Sequence, residues 1–429
     1  MKIPVSFPID NFNETKIQML NWANRFNIFC LLDNHQYRFE TPAFECLLAA
    51  GCKASVSANA GTAFEQLRLF SQQNPGWLFG HFGYDLKNEL EELQSNNTDS
   101  IGFNDLHFFV PQIVVELSVN LLTIYCDTGD ALDIFTAIKS LPACVPPTAI
   151  TSPITIQHHI SRQEYVSAVQ ALQQHILRGD CYVINFCQEF FAKGVNINPL
   201  AVYQSLTEIS PSPFAALYKL DDKYCISASP ERYLKKTGNT LLSQPIKGTA
   251  IRDVGNQQAD EESKKQLLSS EKEKSENVMV VDLVRNDLSR VCKAGTVQVD
   301  ELFGLYSFPQ VHQMISSIQG ILPENTDWVD AIKATFPMGS MTGAPKKKVM
   351  QLTEQYEQTK RGLYSGSIGY VRPNGDFDFN VIIRSILYNA TNKYLSFQAG
   401  SAITFCSNAV QEYEECLLKT NAIRLVLQG

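Results

Sequence analysis

The chain has 429 residues, of which 44% are hydrophobic and 19% charged, an ordinary globular balance and enough for one to three domains. Its 44 acidic and 36 basic residues leave a formal net charge of −8, which argues against nucleic acid or an anionic membrane surface as the main partner. An anionic substrate would have to be held by a local site. The opening "MKIPVSFPIDNF" lacks an apolar run of signal-peptide length, and no stretch approaches the roughly 18 apolar residues of a membrane span. The expectation is a soluble cytoplasmic protein. Eleven cysteines without a C-x-x-C pair read as buried free thiols of a reducing compartment, not as disulfides or zinc ligands.

In chain order, "NIFCLLD" and "YRFETP" predict short strands and "TAFEQLRLFSQQ" a helix. "LHFFVPQIVVEL" and "NLLTIYC" are β-branched and aromatic and predict paired strands. The proline-rich "KSLPACVPPTAITSPIT" reads as a connection. It divides residues 1–150, an N-terminal region, from residues 151–429. Beyond it, Ser161 caps a helix, Glu164 completes a capping box and Gly179 ends it. "CYVINFCQEFFA", "FAALYKL", "KYCISAS", "RYLKKTG" and "TLLSQPI" then predict strands. The polar stretch from Ala259 to Gly295 is one long helix or two, and "VHQMISSIQGIL" is strand-like. "TGAPKKKVMQLTEQYEQT" is a helix with Pro345 near its first turn. "YSGSIGYV", "FDFNVIIRSILYN" and "KYLSFQAGSAIT" predict three antiparallel strands, and a helix from about Asn408 to Leu427 closes the chain. Strand runs followed by long helices, without a βαβ rhythm, make the fold class α+β.

Two features carry chemistry. In "LLSQPIKGTAIRD", Lys247 lies between a proline, an isoleucine and a glycine, at an apolar strand end that breaks at the glycine; a solvated lysine needs no such setting. Glu273 and Glu276, and Glu412 and Glu415, are each spaced i, i+3 on predicted helices, so each pair projects from one face. Two such pairs could hold Mg²⁺, which takes one or two carboxylates and keeps several waters. From spacing alone a solvated acidic face is the simpler reading, with Lys419 placed for an ion pair to Glu415.

Six blocks in order change that balance: "PIKGTAIRD", "SENVMVVDLVRNDLSRV", "FPMGSMTGAPKKKVMQL", "RGLYSGSIGYV", "VIIRSI" and "EYEECLLKTNA". Together they resemble the chorismate-utilising enzymes, which include anthranilate synthase component I, aminodeoxychorismate synthase component I and isochorismate synthase. The resemblance is dense over residues 160–429 and weaker before. "PIKGT" with Lys247, and Glu231 in "ASPERYL" sixteen residues earlier, resemble the aminodeoxychorismate branch; anthranilate synthases usually read P-I-A-G-T.

The resemblance implies large antiparallel sheets with helices packed outside, as in anthranilate synthase component I, and a chorismate-binding catalytic region over residues 151–429. It implies Mg²⁺-dependent amination of chorismate at C4. Lys247 would be a covalent nucleophile and Glu231 a general acid, with His312 near the ring carboxylate. Mg²⁺ would be bound by Glu276 and Glu415, with Glu273 and Glu412 acting through water. Gly248 and Thr249 would contact the substrate, Tyr364 and Arg384 would hold the enolpyruvyl carboxylate, and Gly400, Ser401 and Ala402 would offer backbone N–H groups. Many members have glycine where this chain has Ala402. Lys419 would lie near the metal-side carboxylate. No glutamine amidotransferase segment is visible, so a separate subunit of that kind would supply ammonia. Leu31-Leu32-Asp33-Asn34 departs from the L-L-E-S of tryptophan-binding members, which speaks against tryptophan feedback. The alternatives are anthranilate synthase component I and a catalytically silent chorismate- or tryptophan-binding subunit.

Overall fold

A computed structural model describes residues 3–37, 44–127, 129–144, 154–253, 255–308 and 311–428. Among these, twenty strands join in one hydrogen-bonded system. Every strand pairing is antiparallel, apart from the isolated bridge between Thr98 and Thr359. Two long strands, Cys46–Ala58 and Leu106–Leu117, form the shared seam, with a register shift between Cys52 and Ala54. Gly51, at φ +70, stands beside that shift, where a side chain would strike Gln112.

One layer leaves the seam through Ile28–Asp33, Phe214–Leu220, Lys223–Ser229, Ser385–Asn389, Tyr394–Ile403 and Val183–Lys193. The other leaves it through Leu78–Phe82, Ser367–Val371, Phe377–Val381, Arg232–Thr237, Thr240–Gln244 and Val311–Ile321. The last strand also pairs with Ile246–Ile251 and with Gln298–Ser307.

Side-chain alternation explains why the layers stack. Leu32 and Leu47 of the first layer and Phe79, Ile368 and Tyr370 of the second share one buried apolar cluster. Their neighbours Leu31 and Leu48 face the other way, onto helix residues Trp22, Val169 and Leu206. Phe379 and Leu241 of the second layer likewise face out, onto Val281, Val284 and Leu288 of the helix Glu271–Ser289. The result is a two-sheet sandwich with helices on its outer faces.

Local signals explain the element ends. The capping box at Ser161 and Glu164 is formed, and Gly179 ends that segment at φ +82. The polar stretch is two helices, Gln257–Ser269 and Glu271–Ser289; the side chain of Ser270 caps the second by accepting from Glu273 N. "FDFNVIIRSILYN" is not one strand. It breaks into Phe377–Val381 and Ser385–Asn389, because its halves belong to different layers. The closing helix is also two, Ala409–Lys419 and Asn421–Gln428. The strand Gln298–Ser307 is not expected from the sequence; it is half-buried or exposed over most of its length, and its apolar residues do not alternate cleanly with its polar ones. Most of "YRFETP" and of the proline-rich connection lies outside the described residues. Residues before that connection pair with residues after it, as Ile28–Asp33 with Phe214–Leu220 and Leu78–Phe82 with Ser367–Val371.

All eleven cysteines are free; seven are buried, whereas Cys144 and Cys406 are exposed and Cys52 and Cys292 half-buried. Among the described residues no helix is long and apolar enough to cross a membrane.

Candidate active site

The chain crosses from the first layer to the second at Pro230-Glu231 and returns through Ile382-Ile383-Arg384. Three hydrogen bonds stitch these crossings together. Val381 N donates to Glu231 O (3.0 Å), Ser229 Oγ to Val381 O (2.6 Å) and Ala228 N to Arg384 O (3.2 Å). Arg384 takes a left-handed backbone, φ +50, to make the turn. Leaving the ladders frees both side chains from the alternation of a strand.

Glu231 is buried, and burial pushes its carboxyl up to about 7; the Ser340 hydroxyl and the charges of Lys247 and Arg384 pull the other way. The buried Ser340 hydroxyl faces that carboxyl without closing a hydrogen bond of ordinary geometry. The Arg384 guanidinium makes no hydrogen bond or ion pair among the described residues. Burial lowers its pKa and the charge of Glu231 opposes that. Two buried arginines differ from the half-buried Arg384: Arg232 grips Asp378 at 3.0 and 3.1 Å, and Arg361 grips Glu357 at 3.0 and 2.6 Å. Arg384 is thus the guanidinium available to an anion beside Glu231.

Lys247 comes from the second layer. The strand does not end at the glycine, as the sequence suggests, but continues over Ile246–Ile251 with a bulge. Ile246 faces Ile315 and Thr249 faces Gln313, so Lys247 and Gly248 together oppose Met314 alone. Gly248 has φ +87, and a Cβ there would lie 2.9 Å from Leu267 Cδ1 and 3.1 Å from Glu273 Oε2. The bulge re-aims Lys247, whose charge acts on Glu231, Glu273, Glu276 and Glu415. Its ammonium makes no hydrogen bond or ion pair among the described residues.

The four glutamates converge from helices on opposite layers. Each pair lies near a capped helix N-terminus, where the helix dipole favours negative charge. Lys272 Nζ lies 3.2 Å from Glu412 Oε1, 3.8 Å from Glu415 Oε2 and 3.9 Å from Glu276 Oε1. Burial raises the carboxyls of Glu273 and Glu276 above their usual range. Burial would raise Glu415 too, but Lys419 first and then Lys272 and Lys247 hold it low. Glu276 Oε1 is buried and has no hydrogen-bond partner among the described residues. Among the described residues no group of three or more acidic, His or Cys side chains is set closely enough to hold a metal ion without movement. An orphaned carboxylate oxygen beside a second carboxylate, with one side open, still suits Mg²⁺, which keeps waters and adds substrate oxygens.

The strand Tyr394–Ile403 supplies the floor. Gly400 faces Cys187 and Ala402 faces Asn185 across the ladder, yet Cys187 N donates to Glu357 and Asn185 N to Thr342 O. These are therefore non-hydrogen-bonded pairs, and the N–H groups of Gly400 and Ala402 point away from the Val183–Lys193 strand. Lys419 donates to Gly400 O (2.9 Å) and pairs with Glu415 (2.7 Å), which joins floor to carboxylates. A Cβ on Gly400 would strike Cys187 Sγ at 2.5 Å. Tyr364 is buried with its hydroxyl 4.0 Å from the same sulfur.

Three expected residues are placed differently. Ser401 faces Phe186 between two non-hydrogen-bonded pairs, so its N–H turns to the Val183–Lys193 strand, and its hydroxyl turns into the core against Tyr165, at 3.2 Å. Thr249 is exposed, one residue past the bulge. His312 is fully buried with both ring nitrogens engaged, Nδ1 with Ser307 Oγ (2.8 Å) and Nε2 with Asp260 Oδ1 (2.9 Å), so neither is turned toward Lys247. Sequence reasoning passed over Ser340 and Lys272, although both lie in or beside the quoted blocks.

A buried acid, a lysine and an arginine without side-chain partners among the described residues, and a carboxylate cluster stand together between two β layers, groups that suit acid–base chemistry on a small anion. The chain belongs to the chorismate binding enzyme family, which it matches over residues 28–424. It is an enzyme acting on chorismate. It is 33% identical over 372 residues to aminodeoxychorismate synthase component 1 of Bacillus subtilis, covering 82% of this chain and 77% of that one. It is 33% identical over 357 residues to an anthranilate synthase component I-like protein of Synechocystis, covering 82% and 73%. The crystal structure of anthranilate synthase component I from Streptococcus pneumoniae superimposes with a TM-score of 0.76 at 26% identity, covering 91% of this chain and 94% of that one.

Proposed function

We propose that this enzyme aminates chorismate at C4 with ammonia, giving 4-amino-4-deoxychorismate for 4-aminobenzoate synthesis. The observation that carries the reading is the placement of Lys247, unpaired on its bulge, within the field of a Glu231 that holds its proton up to about pH 7. Hydroxide is a poor leaving group, so C4–O cleavage needs an acid. Glu231 gives its proton to the C4 hydroxyl, which departs as water. Lys247, once its ammonium has released a proton to water, forms a bond to C2, and the two ring double bonds shift to C1=C6 and C4=C5 as the C4–O bond breaks. The amine then loses a proton to Glu231. Ammonia adds at C4, the double bonds shift back and the C2–N bond to Lys247 breaks as Glu231 returns its proton to the departing nitrogen, so that Lys247 leaves as the amine and the new C4 ammonium gives up a proton to water.

Arg384 offers a fork to one substrate carboxylate, with Tyr364 beside the floor. Gly400 and Ala402 offer N–H groups, with Lys419 alongside. Glu276 and Glu415 would hold Mg²⁺, with Glu273 and Glu412 in its outer surroundings. When bound, the ion would neutralise charge on the ring carboxylate. His312, through Asp260 and Ser307, would position the strand behind Lys247. The component 1 name of the Bacillus relative supports ammonia supply by a glutamine amidotransferase subunit.

The second reading is amination at C2, supported by the anthranilate synthase names among the relatives. A C2 amination has no need of a lysine that attacks C2. Product identification decides between them. Wild type with chorismate, ammonium and Mg²⁺ should give 4-amino-4-deoxychorismate by mass and chromatography. Lys247→Ala should still bind chorismate but lose C4 amination by orders of magnitude. Anthranilate as the main wild-type product, or near-normal turnover by Lys247→Ala, would overturn the proposal.

A further inference from the structure

We infer that Lys272 is a built-in counter-ion of the glutamate cluster, competing with a divalent cation for the same carboxylates; this rests on the Mg²⁺ reading above. Lys272 precedes Glu273 on the helix Glu271–Ser289, yet its ammonium reaches across to Glu412 and Glu415 on the opposite helix. It closes a hydrogen bond to Glu412 alone, at 3.2 Å. Its other two contacts, at 3.8 and 3.9 Å, are too long for hydrogen bonds. Glu276 Oε1, the farther of these, is left buried and unpartnered. An ammonium that spans three carboxylates and satisfies one is a poor fit, and a small divalent ion would fit the same oxygens better.

Lys419 is placed differently. It is anchored to Gly400 O and Glu415 at once, and that pair does not span the two helices' carboxylates. The Lys272 side chain is 49% exposed, so water can receive its ammonium when a cation arrives. Two positive charges cannot share the cluster at these distances without strong repulsion. Lys272 therefore keeps the metal-free carboxylates from driving the two helices apart, and its displacement weakens metal binding.

Isothermal titration of the full chain with Mg²⁺ tests this, paired with melting curves in EDTA and in saturating Mg²⁺. Lys272→Met should bind Mg²⁺ roughly three- to tenfold more tightly than wild type, the scale of a partly exposed ion pair. It should melt below wild type in EDTA and recover in Mg²⁺, while Lys272→Arg should track wild type in both. Lys272→Gln replaces it if Lys272→Met does not fold without metal. Unchanged or weaker Mg²⁺ binding by the folded neutral variants, with wild type binding normally, overturns the inference about Lys272. Absence of binding in wild type, neutral variants and Glu415→Gln alike overturns the metal site itself, and the inference with it.

Discussion

A carboxyl in water is ionised at neutral pH, and Glu231 escapes that only through its surroundings. Burial raises it to about 7, against an ordinary value of 4.5, while Lys247 and Arg384 stop it rising further. A general acid must carry its proton, so kcat/KM should be high below this value and fall as pH rises through about 7. Glu231→Gln should lose both the activity and this limb of the profile. A wild-type profile that stays flat from pH 6 to 9 would remove Glu231 from the acid role. The linkage has a stability side. The folded state keeps the Glu231 proton where the unfolded chain has lost it, so its ionisation destabilises the fold progressively from about pH 4.5 to 7. By the scale of about 1.4 kcal/mol per pH unit, the loss is of order 3 kcal/mol and constant above.

The Ile246–Ile251 strand aims its lysine by one irregularity. A regular ladder would fix Lys247 by strict alternation, and the extra residue in the bulge releases it. Gly248 makes this possible twice, by a positive φ and by leaving room for Glu273. Gly248→Ala should therefore cost about 1–2 kcal/mol in backbone strain, with a further effect from the crowded glutamate. Urea denaturation measures the first effect. The second should appear as a loss of turnover larger than the stability change explains, with poorer Mg²⁺ binding. Full activity in a stable Gly248→Ala protein would show that the bulge does not position the site. The helices supply rigidity behind it: Lys346, at the start of Lys346–Tyr356, is buried against Asp287 of Glu271–Ser289 at 2.7 Å, and so ties two of the sequence blocks together.

Across the whole molecule, the site exists because two layers diverge from one pair of strands. Glu231 and Arg384 stand where the chain changes layer, Lys247 comes from one layer, and Gly400 and Lys419 belong to the other. The seam strands Cys46–Ala58 and Leu106–Leu117 belong to residues 1–150, and the strands they hold apart are mostly later. Residues 151–429 expressed alone would expose the apolar faces of Tyr218, Ile368 and Tyr370, now covered with help from Leu47, Phe79 and Phe109. This fragment should be insoluble or bind hydrophobic dyes, and co-expression with residues 1–150 should recover a folded, active pair. A soluble, cooperatively melting fragment 151–429 would show instead that the regions are separable domains.

What the sequence determined by itself is local. Capping chemistry set Ser161 and Glu164, alternating apolar runs set most strands, and i, i+3 spacing put each glutamate pair on one helix face. The family blocks added the expectation of how these pieces assemble. Tertiary structure decided what depends on a neighbour distant in the chain. "FDFNVIIRSILYN" is apolar enough to read as one strand, and only its two sets of partners force the turn that frees Arg384. Arg232 and Arg384 are alike in sequence, and Asp378, far along the chain, neutralises the first while the second has no carboxylate partner among the described residues. Lys272 reads as a solvated helix lysine until the opposite helix brings Glu412 within 3.2 Å. The resemblance puts His312 near the ring carboxylate, and only the packing shows Asp260 and Ser307 occupying both its nitrogens. Periodicity reports a residue's own backbone, whereas charge state and availability report the field of everything packed around it.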